Sequence, residues 1–301
     1  DMLPIKFGTD GWRGEIGIDF TLANVDRAIK AIGKYFQEKT GGTALLLVGY
    51  DTRFQARRFA HYCAEQLACL GHRVLLAEKP VTTPVLSHAI RYNQAAGGVM
   101  LTASHNPAEW LGIKVKNQYG ASASSTDTTI IESLMDTDCR SVSQGFCQMV
   151  NFDDSYLQNI RRRFPSLFSQ TSGGKILIDC LYGSGQGYLP RLLQNSGWQV
   201  IELHAEINPA FGGKNPEPIA PNLMDLRQAA VEHQTAGLAF DGDGDRIGMV
   251  LENGDIMTAQ EIFLLLLYHL AENKKLRGKI IKTFSTSAKV DVLARKYNLE
   301  L

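Results

Sequence analysis

The chain is poor in the features that tie a sequence to a compartment or a macromolecular partner. Its five cysteines, Cys63, Cys69, Cys139, Cys147 and Cys180, are odd in number and include no Cys-x-x-Cys pair. That spacing argues against a disulfide framework or a zinc site and fits a reducing compartment. Neither sign of charge is in excess, since Lys plus Arg equal Asp plus Glu at 31 each. No global basic field therefore calls for nucleic acid, and any bound anion has to be gripped locally. Long apolar runs are missing as well: Ile262–Leu267 is far too short to cross a bilayer, and the first residues hold no signal-peptide core. The expectation is a cytoplasmic protein without membrane or nucleic-acid partners, its oligomeric state left open.

What is present is enough apolar material for a large core. At 301 residues and 44% hydrophobic content, the chain has room for about two domains and part of a third. Val25, Ile29, Ile32 and Phe36 recur at helical spacing, and Ala44–Gly49, Arg73–Ala77 and Ala95–Leu101 are short apolar strands between helical stretches. This alternation specifies an α/β layer fold with largely parallel pairing. The Ser, Thr, Gly and Asp-rich stretch 117–146 weakens the periodicity, which places a boundary near residue 150. A second strand-loop-helix series then begins, with a helix over Asp153–Phe168 and a strand at Lys175–Leu181. Beyond residue 255 a helix over Thr258–Leu270, a strand at Lys279–Phe284 and a helix over Thr286–Tyr297 open a third, incomplete unit. The expected division is 1–150, 151–255 and 256–301. No clear internal repeat accompanies it.

Chemistry concentrates in three stretches. Thr102-Ala103-Ser104-His105-Asn106-Pro107 follows a buried strand, so a hydroxyl, an imidazole and an amide arrive together at a strand's carboxyl end, where open α/β sheets bind ligands. Ser104 has no Gly-x-Ser-x-Gly elbow, which argues against a serine hydrolase. In the following strand Lys114 and Lys116 share one face and point back toward Ser104. An ammonium there neutralises phosphoryl oxygens or, with a depressed pKa, takes a proton. Ile5–Gly17 carries four glycines and reads as a strand opening into a tight loop that displays Arg13, a fork suited to phosphate oxygens.

The third stretch is Asp241-Gly242-Asp243-Gly244-Asp245-Arg246, between two apolar segments. Three alternate carboxylates repel unless a cation joins them, and glycines let the backbone wrap so that hard oxygens converge, a set suited to Mg²⁺. Asp241, Asp243, Asp245 and Glu252 fall at ligand positions of an EF-hand loop, but Arg246 stands where that loop needs Gly and the flanks are strand-like. Gly183-Ser184-Gly185-Gln186-Gly187 departs from the Gly-x-Gly-x-x-Gly nucleotide fingerprint and reads as a tight turn. Asp51 and Arg53, after the second strand, read as a helix cap and a solvated first-turn charge.

FGTDGWRG at Phe7–Gly14, TASHNP at Thr102–Pro107 with GIKVK at Gly112–Lys116, and DGDGDR at Asp241–Arg246 together resemble the motifs of the α-D-phosphohexomutases, in order and approximate separation. The resemblance implies tandem three-layer α/β/α domains with mixed sheets, so an antiparallel edge is expected beside the parallel strands. It implies a phosphoserine at Ser104, Mg²⁺ held by Asp241, Asp243, Asp245 and the seryl phosphate, phosphate contacts from Arg13, His105 and Arg246, and a general base at Lys114. The implied reaction interconverts hexose 1- and 6-phosphates, glucose and/or mannose, through a hexose 1,6-bisphosphate; the alternatives are a glucosamine substrate, a non-catalytic sugar-phosphate-binding relative and a Mg²⁺-dependent phosphatase. Leu111 departs from the family pattern, which has Asn there. The family's sugar-selecting and distal phosphate loops lie in the remainder of domain three and in domain four, outside this sequence.

Overall fold

A computed structural model describes residues 5–8, 10–138, 145–168 and 173–301. The first sheet contains β1 (Trp12–Glu15), β2 (Leu45–Tyr50), β3 (Arg73–Ala77), β4 (Gly97–Leu101), β5 (Trp110–Asn117) and β6 (Phe146–Val150), in the order β1-β5-β4-β2-β3-β6. β4, β2, β3 and β6 run parallel, while β5 pairs antiparallel with both β4 and β1. The antiparallel edge is therefore real, and it puts Arg13 opposite Gly112 in register. Arg13 lies on the strand itself, after the glycine loop instead of within it.

Helices α1 (Leu22–Thr40), α2 (Ala56–Cys69), α3 (Thr83–Tyr92) and α4 (Ser125–Ser133) cover this sheet. α1 starts where Thr21 caps the Asn24 N–H and stops at Gly41, whose φ of 73° suits a residue without Cβ. Its buried Val25, Ile29, Ile32 and Phe36 are the residues whose spacing predicted the helix.

The second sheet has the order β11-β10-β9-β7-β8, with β7 (Gly174–Asp179), β8 (Trp198–Leu203), β9 (Gly237–Phe240), β10 (Ile247–Val250) and β11 (Ile256–Met257). β8, β7 and β9 are parallel; β10 and β11 form an antiparallel edge, so both sheets are mixed. Helices α5 (Asp153–Arg163), α6 (Tyr188–Leu193) and α7 (Met224–His233) accompany them. α5 ends five residues before the predicted limit because Pro165 opens a separate 3₁₀ turn, Pro165–Phe168.

Beyond β11 lie α8 (Ala259–Tyr268), extended by a π turn at His269–Asn273, and α9 (Lys289–Lys296). The strand expected at Lys279–Phe284 does not form: only a single bridge joins Lys279 to Glu300. A strand needs a neighbour to complete its ladder, and here Ile281 and Phe284 stand almost fully exposed. Among the described residues no helix is long and apolar enough to cross a membrane.

The two sheets are tied by Asp153, which is fully buried at the start of α5. It accepts from Tyr188 and Arg191 of the second unit and pairs with Lys79, just after β3 of the first. Burial alone raises its pKa, but Lys79, Tyr188 and Arg191 outweigh that and hold the carboxyl below the ordinary 3.8. A depressed folded pKa means that its stabilisation is present above about 3.8 and is lost as pH falls toward the folded value. Asp153→Ala should cost about 3 kcal/mol at neutral pH, the low end for breaking a buried pair because both cations remain partly wet. Urea unfolding near pH 7 and near pH 3 should show that the penalty shrinks in acid; an equal penalty at both would contradict this account.

Candidate active site

The Thr102–Pro107 loop leaves β4 with Ser104 at φ 55°, a left-handed conformation that a residue with Cβ adopts only when its surroundings enforce it. The enforcement is visible. Thr102 Oγ1 accepts the Ser104 N–H at 2.8 Å and donates to the Asp51 carboxylate. The Arg53 guanidinium donates to four carbonyls of the same loop: Ser104 at 2.8 Å, Asn106 at 2.6 Å, Pro107 at 2.7 Å and Trp110 at 3.0 Å.

Asp51 and Arg53 are therefore a buried clamp and not a cap with a solvated charge; the residue that precedes α2 is Gln55. β2 and β4 are parallel neighbours, so the residues after β2 emerge beside the residues after β4. An Asp-x-Arg directly after a buried strand was the available signal. Phe211, from the second unit, lies under the guanidinium with its ring centroid 4.8 Å from Cζ.

The acidic loop joins β9 to β10. Asp241 Oδ1 accepts the Asp245 and Arg246 N–H groups at 3.0 and 3.1 Å, closing the turn, while Oδ2 accepts from the Ser104 hydroxyl at 2.8 Å. Gly242 makes this meeting possible: a Cβ there would stand 2.4 Å from the Ser104 carbonyl oxygen. Thr83 at the start of α3 fixes Asp243, its N–H donating to the Asp243 carbonyl at 2.8 Å and its hydroxyl to the carboxylate.

Carboxylate atoms of Asp241, Asp243 and Asp245 lie within 4.8 Å of one another. Asp243 Oδ1 is buried with no hydrogen-bond partner. An orphaned carboxylate oxygen within a cluster of hard oxygen donors is what a Mg²⁺ site requires, so the residues fit the ion. Burial, reinforced by the charges of Asp243 and Asp245, raises the Asp241 pKa to about 7. Asp243 moves the other way: burial opposes its charge, but Lys114 and the Thr83 hydroxyl hold it below its ordinary value.

Lys114 is buried and reaches Asp10 and Asp243 at 2.8 Å and Asp245 at 2.9 Å. Burial alone would lower its pKa; the carboxylates outweigh burial and raise it. These carboxylates favour the charged form of Lys114, the direction opposite to the depressed pKa sought in a free base. Lys116 does share its face, but it is buried and donates to Ser122 at 3.1 Å.

Arg13 donates to Asn106 at 2.7 Å, and His105 Nδ1 lies 3.4 Å from the Ser104 hydroxyl. Burial and the charge of Arg246 lower the His105 pKa. Arg246 is exposed, 3.7 Å from Glu217. Arg13, His105, Arg246, Asp10 and Lys6 line a cavity of about 470 Å³. The sequence-predicted residues thus meet at one place, joined by Asp10, Thr83, Asp51 and Arg53, whose roles the sequence had not disclosed.

The Gly183–Gly187 turn braces this site, with the Ser184 N–H donating to the Gly242 carbonyl at 2.9 Å. The proline-rich stretch 208–222 forms its rim, Pro216 accepting the Gly242 N–H at 3.1 Å. Leu111, the departure from the family pattern, is fully buried in the first core.

Arg53→Ala would leave Asp51 buried without its cation and four carbonyls without their donor. A loss of about 3–5 kcal/mol is expected in urea unfolding. Arg53→Lys should recover only part of it, because a point charge cannot serve four carbonyls as a planar fork does; full recovery would show that charge alone matters.

The family model "Phosphoglucomutase/phosphomannomutase, alpha/beta/alpha domain I" matches residues 4–140, and the corresponding domain II model matches residues 154–254. A probable phosphoglucosamine mutase of Methanosphaera stadtmanae is 30% identical over 300 residues, covering 98% of this chain and 64% of that protein. A phosphoglucosamine mutase of Pseudomonas fluorescens is 32% identical over 290 residues, covering 93% of this chain and 63% of that protein. The chain thus spans less than two thirds of these curated relatives. The crystal structure of a "putative phosphomannomutase" from Thermus thermophilus superposes with a TM-score of 0.91 at 34% identity, covering 100% of this chain and 69% of that one. With both domain models matched in order, the chain belongs to the phosphoglucomutase/phosphomannomutase family, the α-D-phosphohexomutases.

Proposed function

We propose that this chain is the phosphoserine-bearing part of a phosphohexomutase, with residues 1–150 presenting Ser104, 151–255 presenting the acidic loop and 256–301 beginning a third domain. The observation that carries the reading is the Ser104 hydroxyl, buried on a strained loop and bonded at 2.8 Å to an acidic cluster delivered by the other sheet. Asp241, Asp243, Asp245 and the seryl phosphate would hold Mg²⁺, which supplies Lewis-acid stabilisation of charge on the transferring oxygens.

In the proposed cycle a hydroxyl oxygen of a hexose monophosphate attacks the phosphorus on Ser104, the bond to Ser104 Oγ breaks, and the proton of the attacking hydroxyl ends on Oγ. The resulting hexose 1,6-bisphosphate returns its other phosphoryl group to Ser104. Such transfers demand positioning and charge stabilisation more than covalent help. Lys114 therefore acts as an ammonium against phosphoryl oxygens, while Arg13, His105 and Arg246 line the cavity from which the sugar phosphate approaches. Glucose and mannose phosphates are the proposed substrates. A glucosamine phosphate is the second reading, favoured by the names of the Methanosphaera and Pseudomonas relatives.

Incubation of the chain with glucose 1,6-bisphosphate and Mg²⁺ should phosphorylate Ser104, seen as a single phosphate adduct mapped to its peptide by mass spectrometry. Ser104→Ala should show no adduct; an equal adduct in the variant would refute the assignment. Gly242→Ala keeps every side chain named here but forces the acidic loop away from Ser104. The rate of adduct formation should fall about a hundredfold, the scale of an ångström misplacement in a transfer site; an unchanged rate would mean that the Asp241–Ser104 approach is irrelevant.

A further inference from the structure

A second cavity, of about 420 Å³, lies where the far end of α3 meets α5, outside the Ser104 site. Its volume is within the range of small-ligand pockets. His88, Arg91 and Tyr92 enter it from α3, Tyr156 and Arg163 from α5, and Tyr119 from the loop after β5. Among the described residues no carboxylate lines it, and Arg91 and Arg163 have no ion-pair partner within reach.

Each arginine stands in the last turn of its helix, where the dipole contributes roughly −0.5 charge. Two guanidinium charges against two such ends leave a net positive field. His88 reports that field: burial first, then Arg163, Arg91 and Arg162, lower its pKa and favour the neutral ring.

The aromatic content points further than an anion. Tyr92 stacks on His88 at 5.8 Å between centroids, Tyr156 meets His88 edge-on at 5.7 Å, and Tyr92 and Tyr119 keep 66% and 71% of their surface exposed. His88 Nδ1 is buried without a hydrogen-bond partner. Open π faces beside unpaired guanidinium forks and an unmet polar atom suit a ligand that is planar at one end and phosphorylated at the other.

We propose that this cavity is a nucleoside-phosphate site, the base stacking on Tyr92 and Tyr119 and the phosphates held by Arg91 and Arg163. It is independent of the Ser104 chemistry, and its occupant would bridge α3 of the first unit and α5 of the second.

Isothermal titration of the 301-residue chain with ADP, adenosine and inorganic phosphate tests it. ADP should bind saturably and more tightly than either fragment. Arg91→Ala with Arg163→Ala should weaken ADP at least about tenfold, the scale of lost charged hydrogen bonds. Tyr92→Ala with Tyr119→Ala should weaken ADP about tenfold while leaving phosphate unchanged, since one lost stack is of that size. These side chains are largely exposed, so the variants should fold, as their circular dichroism would show. The site is refuted if ADP does not saturate, or binds both double variants as it binds the parent; phosphate binding as tightly as ADP would refute the base-stacking half.

Discussion

A hydroxyl from one sheet must meet a carboxylate from the other, and the rest of the site depends on that 2.8 Å contact between Ser104 and Asp241. Each partner is held from its own side. Ser104 is placed by Thr102, Asp51 and Arg53, all on or beside β2 and β4. Asp241 is placed by its own turn, accepting two N–H groups, and by Gly242, which concedes the space a Cβ would fill. Phe211 completes the arrangement by setting the second unit's aromatic face against the first unit's clamp. Neither sheet alone contains a complete site.

The contact is also an electrostatic problem. Asp51, Asp241 and Asp243 are all buried, and an unpaired buried carboxylate is strongly unfavourable. Asp51 has Arg53, and Asp243 has Lys114 and Thr83. Asp241 receives only hydroxyl and amide donors, and burial with its acidic neighbours raises its pKa to about 7. The cluster thus holds a carboxyl whose charge is disfavoured for want of a cation, and an orphaned oxygen on Asp243. Such leftover strain is costly in a purely structural role, whereas a site that receives a cation has a use for it.

Much of this was legible in the letters. Periodicity located α1, the apolar runs located β2, β3 and β4, and the three motif stretches did converge. Boundaries failed where a local event overrode pattern, as at Pro165. The Lys279–Phe284 strand failed because an apolar run says nothing about whether a partner strand exists. Arg53 was misread for a related reason. A charged residue after a strand is solvated unless tertiary structure brings acceptors to it, and its four carbonyl acceptors lie more than fifty residues away. Asp10 and Thr83 were hidden similarly, their partners lying on other elements.

Lys114 shows how the same limit applies to chemistry. From sequence, a lysine near a phosphoryl carrier has two futures, base or fixed charge, and burial favours the first by destabilising the ammonium. The deciding facts are that β1 lies beside β5, placing Asp10 within reach, and that the acidic loop folds over the same strand. Three carboxylates within 3 Å reverse the effect of burial. The antiparallel edge that the pattern alone did not require is therefore what selects the ammonium. In the proposed cycle the transition state would spread negative charge over its equatorial oxygens, and a cation already desolvated at that place would stabilise it without reorganising.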